Sequence, residues 1–206
     1  MKRTTLGELI ANAISHGLGA AFAIVGLVLL LIKSDTTSEI LSSIAFGAAM
    51  IVLYLSSTLF HSFPEKMKRV YSVFQRLDHS SIFILISGTY TPFLVLLVDT
   101  REAYILLIIL WSMTIVGIIM KSIWIHKFKF VHLGIYLFMG WSILFIINEV
   151  SNSMGDIFLF LLLGGVSYTV GVAFYVSRFK YNHFVWHLFV LGGTVFHFIA
   201  VYGYLL

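Results

Sequence analysis

Long apolar segments alternate with short polar ones along the 206-residue chain. Seven of these segments each have close to the ~20 residues that an α-helix needs to cross a bilayer. They are Ala13–Ile32, Ile40–Phe60, Ser80–Val98, Ala103–Met120, Phe130–Ile147, Ile157–Val176 and Phe184–Leu206. Within lipid each must be helical, because strand edges would leave backbone groups unpaired. The pattern predicts an all-α membrane protein: one seven-helix transmembrane domain that covers residues 1–206.

The composition also indicates lipid as the solvent. Hydrophobic residues make up 60% of the chain and charged residues only 11%, whereas a soluble domain carries about a quarter charged residues. No basic run is dense enough to indicate nucleic acid as a partner, so the expected partners are membrane lipids. The chain has no cysteine, which excludes disulfides, thiol nucleophiles and cysteine-ligated zinc.

The first apolar segment follows Lys2 and Arg3, as the core of a signal peptide would. It is longer than a usual signal-peptide core, and further spans follow it. We therefore expect it to be retained as the first transmembrane helix.

Lysine and arginine residues divide unequally between the two sets of loops. Only two, Lys33 and Arg101, fall on one side of the predicted bundle, and the other eleven fall on the opposite side: Lys2, Arg3, Lys66, Lys68, Arg69, Arg76, Lys121, Lys127, Lys129, Arg178 and Lys180. Loops rich in these residues stay in the cytoplasm. The bias predicts a cytoplasmic N-terminus and, after seven crossings, an extracytoplasmic C-terminus.

The connection between the third and fourth segments is only a few residues long, around Asp99 and Arg101. We expect a tight hairpin there. Pro92, near the end of the third segment, predicts a kink in that helix.

Polar side chains collect at one predicted depth in three of the segments. His61 ends the second segment, and Ser57 lies one turn deeper on the same face. Asp78 directly precedes the third segment, and His183 and His187 occupy the first turns of the seventh at i, i+4 spacing. We expect these side chains to lie just inside the cytoplasmic boundary.

Three imidazoles with an open fourth position can hold a catalytic zinc ion. In that interpretation Asp78 would hold a water molecule or orient a histidine, and Ser57 would donate a hydrogen bond to a developing oxyanion. In the alternative, His183 and His187 bind headgroups or backbone at the interface, and Asp78 caps the third helix. The sequence does not establish that the three helices are neighbours, so both interpretations stay open.

A second polar set repeats every four residues in the first segment: Glu8, Asn12 and His16. These side chains share one helix face. That face would either lie along the membrane surface or turn toward the same cytoplasmic cavity.

The other histidines carry weaker expectations. His79 should point about 100° away from Asp78 and lie at the interface. His126 and His132 flank basic residues and are expected to contact lipid headgroups. His197 lies about 15 Å beyond His187 along the helix, too far for the same metal ion, and a buried structural hydrogen bond is expected for it.

These motifs together resemble the progestin and adiponectin receptor family, and in particular its bacterial hemolysin III branch. The pattern consists of Glu8-x3-Asn12-x3-His16, Ser57-x3-His61, Leu77-Asp78 and His183-x3-His187, and residues 77–93, LDHSSIFILISGTYTPF, resemble that branch closely. The resemblance implies a seven-helix bundle with Zn²⁺ bound by His61, His183 and His187. It also implies that Asp78 reaches the zinc ion through water.

The resemblance leaves three functions open. The wider superfamily includes alkaline ceramidases, which implies a zinc-dependent lipid amide hydrolase in a bacterial plasma membrane. The bacterial branch is linked to membrane fluidity and energetics, which favours a non-enzymatic sensor with structural zinc. Some members are linked to haemolysis, which would make the chain a membrane-permeabilising protein.

Overall fold

The structure is a computed structural model that describes residues 5–125, 127–151, 155 and 157–206. The secondary structure of these residues is helical. Lys2, Arg3 and His126 lie outside these residues. The helices are α1 (Leu6–Lys33), α2 (Thr37–Ser62), α3 (Lys68–Pro92, extended by a π-helix at Phe93–Val98), α4 (Arg101–Ile123), α5 (Lys129–Gly140, followed by a 3₁₀-helix at Ser142–Ile146), α6 (Ile147–Ser151), α7 (Ile157–Val176) and α8 (Asn182–Tyr204).

Six helices in the described part of the chain are long and apolar enough to cross a membrane: α1, α2, α3 with its π-helical end, α4, α7 and α8. They confirm six of the seven predicted spans as long apolar helices. α1 and α2 each begin with a capping box, in which a threonine and the glutamate three residues later exchange hydrogen bonds. The exchange satisfies backbone N–H groups that the first turn would otherwise leave unpaired.

The fifth predicted segment, Phe130–Ile147, is not one continuous helix. The α-helix α5 ends at Gly140, and a 3₁₀-helix begins at Ser142. The Tyr90 hydroxyl from α3 fits into this break, where it donates to the carbonyl of Gly140 (2.7 Å) and accepts from the N–H of Ile143 (3.0 Å). Backbone groups freed inside an apolar bundle need such a partner. Hydropathy alone could not predict the break, because its partner lies on another helix.

The third helix begins earlier than its apolar segment. α3 starts at Lys68, so Asp78 lies in its third turn and does not cap it. The N-cap interpretation of Asp78 is therefore wrong.

At its other end, α3 becomes a π-helix directly after Pro92. Asp99 then adopts a left-handed conformation with φ of 46°, and α4 follows at once, as the predicted tight hairpin requires.

Helix packing brings the polar segments to one end of the bundle. α1 packs against α2 and α8, α2 against α3, and α7 against α8. Close approach of α7 and α8 depends on Gly193, because a Cβ atom there would lie 2.8 Å from the Tyr168 ring. We call the end of the bundle that holds His61 and His183 the histidine end.

Tyr90→Phe should destabilise the protein by about 1–3 kcal/mol, because it leaves buried backbone groups at the α5 break unpaired. Thermal unfolding in detergent, followed by tryptophan fluorescence, measures the loss. Tyr104→Phe is the matched control, since that tyrosine is 43% exposed and its hydroxyl binds Asp99 at the surface. Equal stability losses in the two variants would contradict the role assigned to Tyr90.

Candidate metal centre

Three histidines from two helices meet at the histidine end of the bundle. His61 comes from the last turn of α2, and His183 and His187 come from the first two turns of α8. One nitrogen from each ring can be chosen so that all three lie within 4.8 Å of one another. The ring centroids of His61 lie 5.0 Å from His183 and 5.1 Å from His187. The structure therefore brings the predicted ligand set together in a group that could hold a metal ion.

The orientation of His187 is set by α1. Its Nδ1 lies 3.2 Å from the carbonyl oxygen of Asn12 and 3.1 Å from the hydroxyl oxygen of Ser15. The Ser15 hydroxyl itself donates to the Asn12 carbonyl at 3.0 Å. Because a carbonyl oxygen only accepts, the neutral imidazole carries its proton on Nδ1 and keeps a lone pair on Nε2. This is the arrangement found around metal-ligating histidines, whose other nitrogen donates to a neighbouring oxygen.

His16 lies directly against His187. The two rings stack with centroids 3.5 Å apart and planes 9° from parallel, and the edge of Tyr54 closes the other side. His16 is 3% exposed, and within the described residues neither of its ring nitrogens has a hydrogen-bond partner. It is a fourth imidazole beside the predicted three.

Glu8 ties the start of α1 to the start of α8. One carboxylate oxygen accepts from the N–H and hydroxyl of Thr5, both at 2.8 Å, and the other accepts from the N–H of Tyr181 at 2.9 Å. Tyr181 precedes α8 with φ of 63°, a left-handed conformation that is strained for a bulky residue. The Glu8 hydrogen bond helps to hold this strained turn and therefore the first turn of α8.

The Glu8, Asn12 and His16 face does not lie along the membrane surface. These side chains are 8%, 1% and 3% exposed and face α8. The surface interpretation is therefore wrong. Sequence reasoning missed Ser15, whose only signal is a hydroxyl next to His16 on the polar part of the first helix.

Asp78 reaches the same level from α3. Its Oδ2 lies 2.9 Å from Nδ1 of His79, so the expectation that the two neighbours diverge is wrong. Ser57 lines the same cavity as Asp78. Its buried hydroxyl lies beside the Asp78 carboxylate, within reach of a group that enters the cavity.

Two other histidines have a defined environment. His132 is 1% exposed, so the expected headgroup contact is wrong for it. His197 is buried, and its Nε2 lies 3.3 Å from the carbonyl oxygen of Leu161, as expected for a structural hydrogen bond.

An internal cavity of about 130 Å³ opens beside the histidine cluster. Its walls come from α1, where His16 lines it, and from α2, α3, α5, α7 and α8, and they are mostly apolar. At the histidine end the cavity touches Ser57, Asp78, His183 and His187, and it continues to His197. From His187 to His197 this is a length of about 15 Å along α8. An amphipathic molecule would fit this cavity, with its polar head at the histidine end and its apolar chain along the apolar walls.

The apolar helices and the buried histidine cluster define a multi-pass membrane protein with a candidate metal centre. Residues 6–198 match the model of the family described as Haemolysin-III related, and the chain belongs to that family. This confirms the family resemblance seen in the sequence.

Named relatives extend the match over nearly the whole chain. Hemolysin-3 of Bacillus cereus is 41% identical over 97% of this chain and 92% of its own length. The Hemolysin-3 homolog of Bacillus subtilis (strain 168) is 39% identical, over 97% and 95% of the two chains. The human Monocyte to macrophage differentiation factor is 31% identical, over 98% and 87%.

Ser15→Ala should lower the affinity for Zn²⁺ by about tenfold, because one of the two oxygens that orient His187 is lost. Competition with a chromophoric chelator in detergent measures this affinity. Ser62→Ala is the matched control, since that hydroxyl is exposed and donates only to the Thr58 carbonyl at the end of α2. Equal affinities in Ser15→Ala and wild type would exclude Ser15 from the support of His187.

Proposed function

We propose that the protein is a zinc-dependent amide hydrolase of membrane lipids that contributes to lipid homeostasis in a bacterial plasma membrane. The observation that carries this proposal is a cluster of three imidazoles, two of which, His183 and His187, line the polar end of an apolar cavity together with the Asp78 carboxylate. Membership of the Haemolysin-III related family and the bacterial relatives support the membrane setting.

The donor set fits zinc. A tetrahedral ion with Zn–N distances of about 2.0–2.1 Å needs ligand nitrogens roughly 3.4 Å apart. Small ring rotations from the observed spacing, at most 4.8 Å, would reach that geometry. Nε2 of His61 is buried and has no partner among the described residues, so a metal ion would satisfy it. Bound there, zinc would supply a Lewis acid that activates water and polarises a carbonyl group.

The protein side chains supply the proton transfers. Asp78 accepts a proton from the attacking water and passes it to the leaving nitrogen, which departs as the amine while the acyl group leaves as a carboxylic acid that retains the second proton of the water. His79 holds the Asp78 carboxylate in place through the 2.9 Å contact. The Ser57 hydroxyl, which lies in the same cavity wall as Asp78, donates to the oxygen that becomes negatively charged when the carbonyl is attacked.

The predicted orientation supports a substrate drawn from the inner leaflet. With the N-terminus in the cytoplasm, the histidine end faces the cytoplasmic boundary. The broken segment from α5 to α6 supplies the seventh crossing in this topology. Its helical pieces rise about 35 Å if they continue in one direction, which exceeds a hydrocarbon core of about 30 Å.

A second candidate is a membrane sensor with structural zinc. The stacked His16, which lies outside the group of three in the structure, raises it, because a fourth imidazole that turned toward the cluster would close the coordination shell and leave no position for water. This candidate predicts that the loss of His61 lowers thermal stability and removes no activity.

The name Hemolysin-3 of the Bacillus cereus relative raises membrane permeabilisation as a third function. Leakage from lipid vesicles at low protein density tests this function.

Purified wild-type protein should contain about one zinc ion per chain, and His61→Ala and His187→Ala should lose it, because each removes a predicted ligand. Elemental mass spectrometry of chelator-free preparations measures the metal content. His132→Ala is the matched control, since His132 is a buried histidine outside the cluster. A metal-free wild type would rule out both zinc functions.

Asp78→Asn should abolish most hydrolysis of a lipid amide, a loss of about 10²–10⁴-fold in kcat, while zinc stays bound. The rate is measured by mass spectrometry of the released fatty acid in lipid nanodiscs. Unchanged hydrolysis would remove Asp78 from the mechanism. Zinc retention with no hydrolysis in the wild type, for any lipid amide supplied, would leave the sensor as the function.

A further inference from the structure

Two polar atoms in the walls of the cavity, far from the histidine cluster, have no hydrogen-bond partner among the described residues. They are Oγ1 of Thr89 on α3 and Nδ1 of His197 on α8. Both side chains line the cavity, and they are 6% and 8% exposed. Neither atom is open to solvent. A buried polar atom without a partner is costly, so an occupant of the cavity is the expected partner.

The two atoms lie at the same level of the bundle. Thr89 follows Asp78 by eleven residues and His197 follows His187 by ten, which are about 16 Å and about 15 Å along their helices. The Phe93 ring, one turn beyond Thr89 on the same face, contacts the His197 ring with centroids 5.7 Å apart. Thr89 and His197 therefore face one short stretch of the cavity.

Other polar side chains at this level already have protein partners. The Tyr168 hydroxyl lies 2.9 Å from the hydroxyl of Thr194, and the Trp141 indole donates to Thr169 at 3.1 Å. Thr91, two residues beyond Thr89, donates to the Ser87 carbonyl one turn earlier at 2.9 Å. Thr89 does not make the corresponding bond, although threonine in an apolar helix often does.

The chemistry of the two atoms defines the missing partner. Nε2 of His197 faces a carbonyl oxygen, which only accepts, so the neutral ring carries its proton there. Nδ1 is then an acceptor, and the Thr89 hydroxyl can donate or accept. A hydroxyl group satisfies both at once, because it donates to Nδ1 and accepts from Thr89.

We propose that Thr89 and His197 form a subsite that hydrogen-bonds a hydroxyl group carried near the middle of the apolar chain of a lipid. The proposal rests on the proposed function for the placement of the polar head at the histidine cluster. The depth of the subsite sets the position of the hydroxyl, about 15 Å from the head. The lipid selected is therefore one with a hydroxylated chain.

Binding of stearic acid and its hydroxylated isomers to the full-length protein in detergent tests the proposal. Displacement of a fluorescent fatty acid gives each affinity. We expect the isomer with a mid-chain hydroxyl to bind about tenfold more tightly than stearic acid. The isomer with the hydroxyl beside the carboxyl group should show no such gain. Thr89→Val and His197→Leu should each lose the preference for the mid-chain hydroxyl.

Matched variants separate the subsite from general effects. Thr89→Ser should keep the preference, because it keeps the hydroxyl, and so should Thr91→Val, because its hydroxyl is bound to the backbone of its own helix. Equal wild-type affinities for the isomers, or a preference that survives Thr89→Val, would overturn the subsite and leave bound water as the partner of both atoms. Failure of the wild type to bind any of the probes would also overturn it.

The outcome is distinguishable from that of the proposed function. A mid-chain preference in protein that holds no zinc and cleaves no amide keeps the subsite and refutes the hydrolase. Zinc binding and hydrolysis without the preference keep the hydrolase and refute the subsite.

Discussion

The candidate centre depends on the polar contact between α1 and α8. His187 is ordered by a backbone carbonyl and a hydroxyl of α1, and the turn that begins α8 is held by Glu8. Each of these contacts lies in an apolar interior, where a lost partner costs about 1–3 kcal/mol. Since α8 carries two of the three clustered histidines, a shift of α1 would move most of the donor set. The first helix is therefore the support of the site although it contributes no predicted ligand.

The sequence was sufficient for the parts of the fold that a single segment determines. Apolar length located α1, α2, α4, α7 and α8, and i, i+4 spacing placed His183 and His187 on one face. It failed where a partner lies elsewhere in the chain. The break after Gly140 depends on Tyr90, and the burial of Glu8 depends on Tyr181. The contact between the adjacent Asp78 and His79 was missed for a different reason, because it depends on a side-chain rotation that backbone geometry does not specify.

The cavity shows how one bundle can combine polar chemistry with an apolar chain. Its histidine end gathers ionisable groups, and the remaining walls are largely hydrocarbon. Such a site can bind an amphipathic molecule by its two ends separately. The walls come from helices that are distant in sequence, so neither the cavity nor the unpartnered atoms of Thr89 and His197 could be located from spacing alone.

The Tyr90 side chain has two roles: it lines the cavity, and its hydroxyl bridges the break after α5. The two are thermodynamically linked, and the linkage is reciprocal. An occupant that draws the Tyr90 hydroxyl toward itself must release the carbonyl of Gly140 and the N–H of Ile143. Conversely, bending of this segment at that point would change the affinity of the cavity for its occupant. The Tyr90 side chain thus couples bending of the segment after Gly140 to the occupation of the cavity.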